Sequence, residues 1–280
     1  MPEPGAGAPA PGALLLVGCG KMGTALLNGW LAGGQPPYDI AIVEPGPRPE
    51  AFASIDLGAW VDNVTWLPTD FQPDVVVFAV KPQAMSGVLP DYRRFVAPKT
   101  VFLSIAAGRT IASIESALGG NAAVVRSMPN TPAAIGCGIT VACANANVTA
   151  AQRALCDALL RAVGEVAWVE DEALLDPVTA VSGSGPAYVF LLVEALADAG
   201  VAVGLPHDLA LRLARATVEG SGELLRRSTE PPSTLRQNVT SPGGTTMAAL
   251  QVLMAPDTGL GALMTRAVAA ATARSRELAS

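Results

Sequence analysis

The sequence predicts a doubly wound α/β domain followed by an all-helical domain, with the change near residue 170. Short apolar runs recur between residues 13 and 144, and helix-length segments separate most of them. These runs are continuously apolar rather than alternating, which suits parallel strands covered on both faces. From about residue 172 the strand signal fades and helix-like segments follow one another.

The elements follow in order. Residues 1–12, MPEPGAGAPAPG, are rich in Pro, Gly and Ala and are expected to form a disordered tail. This tail has no basic n-region, so the apolar run after it does not read as a signal peptide. ALLLVGCGKMGTALLNGWLAGG (13–34) gives a strand, a glycine turn and a helix that stops at Gly33-Gly34. DIAIVEP (39–45), VVVFAVKP (75–82), TVFLSIAAG (100–108), the start of AVVRSMPNTP (123–132) and ITVACA (139–144) give five further strands. In the second half, residues 185–204, 206–227, 245–255 and 260–278 read as helices. At Gly204-Leu205-Pro206 a glycine closes one helix and a proline opens the next. These helices are apolar around much of their circumference, and a partner subunit is the simplest place to bury such faces.

Composition narrows the classes. Half of the 280 residues are hydrophobic and 15% are charged, so the surface has few charges and self-association is expected. The net charge is −6 and no Lys/Arg tract occurs, which argues against nucleic acid and anionic membranes as partners. Cys19, Cys137, Cys143 and Cys156 form no CxxC pair, and His207 is the only histidine, so no metal set is expected. The cysteines read as small apolar residues in a reducing compartment. The charge-free run between Arg126 and Arg153 contains Pro129, Asn130, Pro132, Gly136, Asn145 and Asn147 and does not read as a membrane span. A soluble cytoplasmic protein is the expectation.

Gly18-Cys19-Gly20-Lys21-Met22-Gly23 is a GxGxxG turn between a strand and a helix. Gly18 permits the tight turn, Gly20 lets the backbone approach a pyrophosphate, and Gly23 lets helix and strand pack closely. That context favours dinucleotide binding over a plain strand–turn–helix junction. Two signals about the dinucleotide oppose each other. Glu44 ends the second strand, where a carboxylate would grip a ribose 2′-hydroxyl and repel a 2′-phosphate, yet Arg48 follows four residues later and could neutralise that phosphate.

Residues 240–246, TSPGGTT, precede a helix beginning near Met247. Ser, Thr, Gly and Pro are ordinary at a helix start. The same residues also offer hydroxyls and clustered N–H groups to an anion. A general acid is hard to find in the second half. His207 sits just inside a helix start and reads as a surface cap, and all three lysines, Lys21, Lys81 and Lys99, lie in the first half. Reduction of a C=N bond fits this, because an imine nitrogen can be protonated before hydride arrives.

The stretches GCGKMG (18–23), FAVKPQ (78–83), SIAAG (104–108), RSMPNTPAAIGCGIT (126–140), SGSGPAYVFLLVEALADAG (182–200), GLP (204–206) and VTSPGGTTMAAL (239–250) resemble the pyrroline-5-carboxylate reductase family. The resemblance runs from Leu14 to about Leu278. It implies reduction of Δ1-pyrroline-5-carboxylate to L-proline, with NADPH as cofactor and NADH as the alternative. It implies a Rossmann dinucleotide-binding domain over 13–170. A helical dimerisation and substrate-binding domain would follow over 171–280, with dimers assembling into rings.

By the same resemblance, Gly18, Cys19, Gly20, Lys21, Met22 and Gly23 would hold the pyrophosphate. Ala79, Val80, Lys81 and Pro82, with Ile105, Ala106 and Ala107, would line the cofactor cleft. Met128, Pro129, Asn130, Thr131 and Pro132 would lie near the nicotinamide. Ser241, with the N–H groups of Gly244, Thr245 and Thr246 in the turn at Gly243, would clamp the substrate carboxylate. The Thr246 hydroxyl would lie near the ring nitrogen, so Thr246 and Ser241 are the catalytic candidates. In GSGPAY (183–188) small residues let helices approach and Pro186 starts one, with Ser184 in a supporting role.

The chain departs from the family in two places. TWLPTDFQPD (65–74) contains no Asn where many members carry a cofactor-contacting one, Asn63 lying earlier, and Glu44 stands where NADPH users carry a short hydroxyl or amide. The rivals are a reductase of another cyclic imino acid and a dinucleotide-binding sensor without turnover. A sensor has no reason to keep TSPGGTT.

Overall fold

A computed structural model describes residues 12–279. All but Gly12 of the tail expected to be disordered lies outside the described residues, and Gly12 donates its N–H to Asp74. Eight strands form one sheet: β1 (Leu14–Val17), β2 (Ile40–Val43), β3 (Ala59–Val61), β4 (Val75–Phe78), β5 (Val101–Ser104), β6 (Ala123–Met128), β7 (Gly138–Ala144) and β8 (Gly164–Trp168). The helices are α1 (Lys21–Ala32), α2 (Met85–Val88), α3 (Ile111–Ala117), α4 (Ala150–Arg161), α5 (Leu175–Val178), α6 (Gly185–Ala202), α7 (His207–Arg227), α8 (Pro232–Asn238), α9 (Thr245–Leu253) and α10 (Leu260–Ala279).

The strand order is β3-β2-β1-β4-β5-β6-β7-β8. Six consecutive strands, from β3 across to β6, run parallel, as their continuous apolar character predicts. The exception is β7, which pairs antiparallel with β6, while β8 runs parallel to β7. Two strands escape the sequence pattern. β3 has three half-buried residues, and β8 (GEVAW) alternates intermediate with exposed positions because it lies at the sheet's edge.

Side chains on the two faces of the sheet build two apolar layers. One gathers Leu14, Leu16, Leu26, Trp30, Ile42 and Val77 beneath α1 and α4, and the other gathers Leu15, Val17, Phe78, Phe102 and Val124 beneath the opposite elements. Burying such residues contributes about 1.5–3 kcal/mol per large side chain. The α4 helix starts with a reciprocal capping box, Thr149 with Gln152.

The chain divides into two compact units. One comprises residues up to Gly183 together with those from Thr272, and the other runs from Ser184 to Ala271. The sheet ends at Trp168, close to the boundary expected at 170, but α5 and a π-helical turn at Thr179–Gly183 continue the first unit. Residues from Thr272 return to it, with the Ser275 hydroxyl 2.7 Å from Asp176.

The second unit is helical throughout. α6 and α7 pack on each other through small residues, among them the buried Ala197, Ala210 and Ala214. Gly204 takes a φ of +103° between them, and Pro206 caps α7. The helical run Glu172–Ala202 is long and apolar enough to cross a membrane by length and composition alone. It is not one regular helix, since α5, the π turn and α6 follow in succession.

Candidate active site

The parallel register levels the strand ends. Val17 lies opposite both Val43 and Phe78, so Gly18, Glu44 and Ala79 emerge side by side at the carboxyl edge of the sheet. Gly18 donates to the Val43 carbonyl at 2.8 Å and Ala79 to the Val17 carbonyl at 2.8 Å. The order reverses direction between β1 and β4, which opens the crevice where doubly wound sheets bind ligands.

The three glycines of the first turn have three different jobs. Gly18 has a φ of +89°, and a Cβ there would lie 2.9 Å from a Val80 methyl. At Gly23 a Cβ would fall 2.3 Å from the Gly18 carbonyl oxygen, so α1 can pack against the turn only without a side chain at that position. At Gly20 a Cβ would meet nothing within 4 Å. Gly20 is also the N-cap of α1 and has no side-chain hydrogen bond there. Open space before a helix start, with α1's first N–H groups facing it, fits a pyrophosphate.

Glu44 is tied into this turn. One carboxylate oxygen accepts from the Cys19 N–H at 2.7 Å and the other from the Gly46 N–H at 2.8 Å. Cys19 is buried, and burial pushes its thiol up; a Thr24 hydrogen bond opposes this and the Glu44 charge adds to it. Cys19 is therefore a packed thiol and not a nucleophile. Arg48 is turned elsewhere: its Nη2 donates to the Phe52 and Ile55 carbonyls and its guanidinium lies 5.5 Å from the Trp60 ring centroid. Between these groups lies a cleft of about 510 Å³, lined by Glu44, Gly46, Arg48, Trp60, Asp62 and Trp66 among others. The sequence reading missed Trp60, Asp62 and Trp66, because β3 is too short to announce itself. Asn63, between Asp62 and Trp66, accepts from the Thr65 N–H and hydroxyl and starts a 3-10 turn at Val64–Trp66.

Further along the same edge, Ile105 donates to the Phe78 carbonyl and Ala106 is buried, while Lys81 is exposed after β4. Arg109 holds the Pro82 carbonyl at 3.0 Å. Met128 ends β6, and Pro129 is buried behind it. The Asn130 side-chain oxygen accepts from the Ile139 N–H at 3.0 Å, bracing this loop against β7. A Cβ at Gly183 would lie 2.5 Å from the Met128 methyl, so a side chain there would displace that methyl. Beneath the edge, Arg126 is paired with Glu172 at 2.8 Å, and Glu172 also accepts from the Ile111 N–H. Strand patterning offered no sign of this link, since Arg126 lies in an otherwise apolar run.

In the second unit, Gly243 takes a φ of +69° and Gly244 is the N-cap of α9. A Cβ at Gly244 would lie 2.4 Å from the Ser241 hydroxyl oxygen, so a side chain there would displace that hydroxyl. The Gly244 N–H is given to the Ser241 carbonyl at 3.1 Å. Of the three N–H groups expected at this turn, those of Thr245 and Thr246 have no acceptor among the described residues. Among the described residues no group of three or more His, Cys, Asp or Glu could hold a metal ion.

The family described as pyrroline-5-carboxylate reductase dimerisation matches residues 172–278, and the one described as NADP oxidoreductase, coenzyme F420-dependent, matches residues 13–108. The pyrroline-5-carboxylate reductase of Pseudomonas aeruginosa is 42% identical over 95% of this chain and 96% of its own. That of Arabidopsis thaliana is 37% identical over 94% of each. Among solved structures, the Coxiella burnetii enzyme superposes with a TM-score of 0.88 at 33% identity, covering 97% of this chain and all of that one. The Plasmodium falciparum enzyme, with NADP bound, gives 0.80 at 30% identity over 96% and 98%. With such similarity spanning both units, the chain belongs to the pyrroline-5-carboxylate reductase family.

Proposed function

We propose that this chain transfers hydride from a nicotinamide dinucleotide to the imine carbon of Δ1-pyrroline-5-carboxylate, giving L-proline in the final step of proline biosynthesis. The observation that carries this reading is 42% identity over 95% of the chain to a relative of that name. The match takes in the GCGKMG turn and the TSPGGTT turn together. The bound cofactor supplies the hydride, and the chain supplies position and charge.

Gly18 to Gly23 would receive the pyrophosphate over the open face of Gly20, at the positive end of α1. Ala79, Val80, Lys81 and Pro82 with Ile105, Ala106 and Ala107 would line the cofactor's course along the sheet edge. Met128, Pro129 and Asn130 would bound its nicotinamide end. The Ser241 hydroxyl with the N–H groups of Thr245 and Thr246 would hold the substrate carboxylate, in the turn that Gly243 and Gly244 allow. Thr246 would set its hydroxyl beside the ring nitrogen. The imine nitrogen is protonated before hydride arrives, so no lysine or histidine acid is needed. Holding the imine carbon against the hydride donor is the main source of rate.

The chain works as a dimer, with dimers joining into a ring, on a small-molecule substrate in the cytoplasm and without nucleic-acid or membrane partners. The apolar residues that α6 and α7 leave exposed support the dimer. The test is loss of reduced-cofactor absorbance on mixing the protein with pyrroline-5-carboxylate. Rapid loss is expected. A folded, cofactor-binding protein with no loss would move the reading to another cyclic imino acid. A light-scattering mass of one chain would overturn the assembly.

A further inference from the structure

We propose that this chain prefers the cofactor without a 2′-phosphate, NADH, over NADPH, and that Glu44 sets the choice. The inference rests on the dinucleotide reading above and asks which member of the pair the site admits.

Glu44 and Arg48 oppose each other in sequence, and their hydrogen bonds separate them. Both Glu44 oxygens are engaged, one by the Cys19 N–H and one by the Gly46 N–H. The carboxylate cannot swing aside without leaving a glycine-turn N–H unpaired. It is therefore fixed at the carboxyl end of β2, beside the turn that receives the pyrophosphate. Among the described residues that line the cleft Arg48 is the one cation, and its Nη2 is turned to backbone carbonyls. Its Nη2 serves two carbonyls, that of Phe52 at the end of a 3-10 turn and that of Ile55 beyond it. Its Nη2 could reach a phosphate only by leaving both carbonyls. Asp62 brings a second carboxylate to the cleft.

A 2′-phosphate carries nearly two negative charges at neutral pH. It would enter a cleft where two carboxylates outnumber one guanidinium, whose Nη2 is turned to carbonyls. A ribose 2′-hydroxyl instead can donate to Glu44. The relative from Plasmodium falciparum has NADP bound, so the fold itself admits the phosphate and the local residues decide.

The test is calorimetric titration of the full-length protein with ADP-ribose and with its 2′-phosphorylated form, alongside kcat/KM for NADH and NADPH. ADP-ribose should bind at least about tenfold tighter, a ratio between that of one charge contact in bulk water and that of one near a protein surface. Glu44→Gln keeps one acceptor for the turn and removes the charge, and it should bring the two affinities to within about threefold. Arg48→Met should leave the wild-type ratio as it is. Tighter binding of the phosphorylated form by the wild type, or a ratio unmoved by Glu44→Gln, would overturn the inference while leaving the dinucleotide site intact. Binding of neither form would remove the site itself, and the inference with it.

Discussion

The two units differ in how they bury their apolar residues. In the first, all of β1, β2, β4 and β5 is buried, and side chains above and below the sheet close two complete layers. In the second, the buried apolar residues are the alanines at 197, 210 and 214, while Phe190, Leu191 and Val203 are 63%, 62% and 83% exposed. Large apolar side chains left exposed in such number point to a partner surface. The first unit therefore finishes its own core, and the second has a core that another copy of the chain must complete. The match of residues 172–278 to a dimerisation family agrees with this division. The same difference separates the chemistry, for the proposed cofactor contacts hang from a rigid sheet edge and the proposed substrate clamp from a helix start in the incomplete unit.

The comparison can be broken most directly at the exposed face. Replacing Phe190 and Leu191 together by Glu should abolish self-association, and light scattering should then report a single chain. Thermal unfolding should split, with helix signal from the second unit lost first. An unchanged mass would mean that α6 covers its apolar face some other way.

The next largest effect lies in the first unit. Glu172→Ala leaves the Arg126 guanidinium nearly buried and unpaired, which costs about 3 kcal/mol by denaturant titration. A loss under about 1 kcal/mol would class the pair with surface ion pairs and weaken the description of this core as complete.

Thr246→Ala sharpens the division of labour. It should lower kcat by about a hundredfold, the range of a positioned hydroxyl group. Affinity for ADP-ribose should stay unchanged, because Thr246 and the glycine turn belong to different units. A matching fall in both would show that the two units do not divide the work.

The smallest effect is on thiol reactivity. Cys19, Cys143 and Cys156 are buried and burial raises each thiol, whereas Cys137 is exposed. The reactive species is the thiolate, so a raised pKa keeps the three buried groups protonated through neutral pH. A thiol reagent on native protein should modify Cys137 alone, and rapid modification of Cys19 would show that the nucleotide turn opens readily.

Much of this was legible in order along the chain. The apolar runs at 14–17, 40–43, 75–78 and 101–104 name their own strands, because a residue run buried on both faces must be apolar throughout. GxGxxG and TSPGGTT declare turns that need glycine, and positive φ at Gly18 and Gly243 agrees. β3 and β8 were not legible, since short or half-exposed strands owe their existence to a neighbour rather than to their own pattern.

What the sequence determined by itself is thus local: which continuously apolar segments are strands, where helices start and stop, and which turns need glycine. Tertiary structure alone decided the contacts between distant residues. Glu44 reaches a Cys19 N–H 25 residues away, Arg126 finds Glu172 46 residues away, and Ser275 returns to Asp176 across 99. Periodicity records which side of an element meets apolar surroundings. It carries no record of which polar group will meet which, because that pairing is fixed only when the strands are in register and their ends are level.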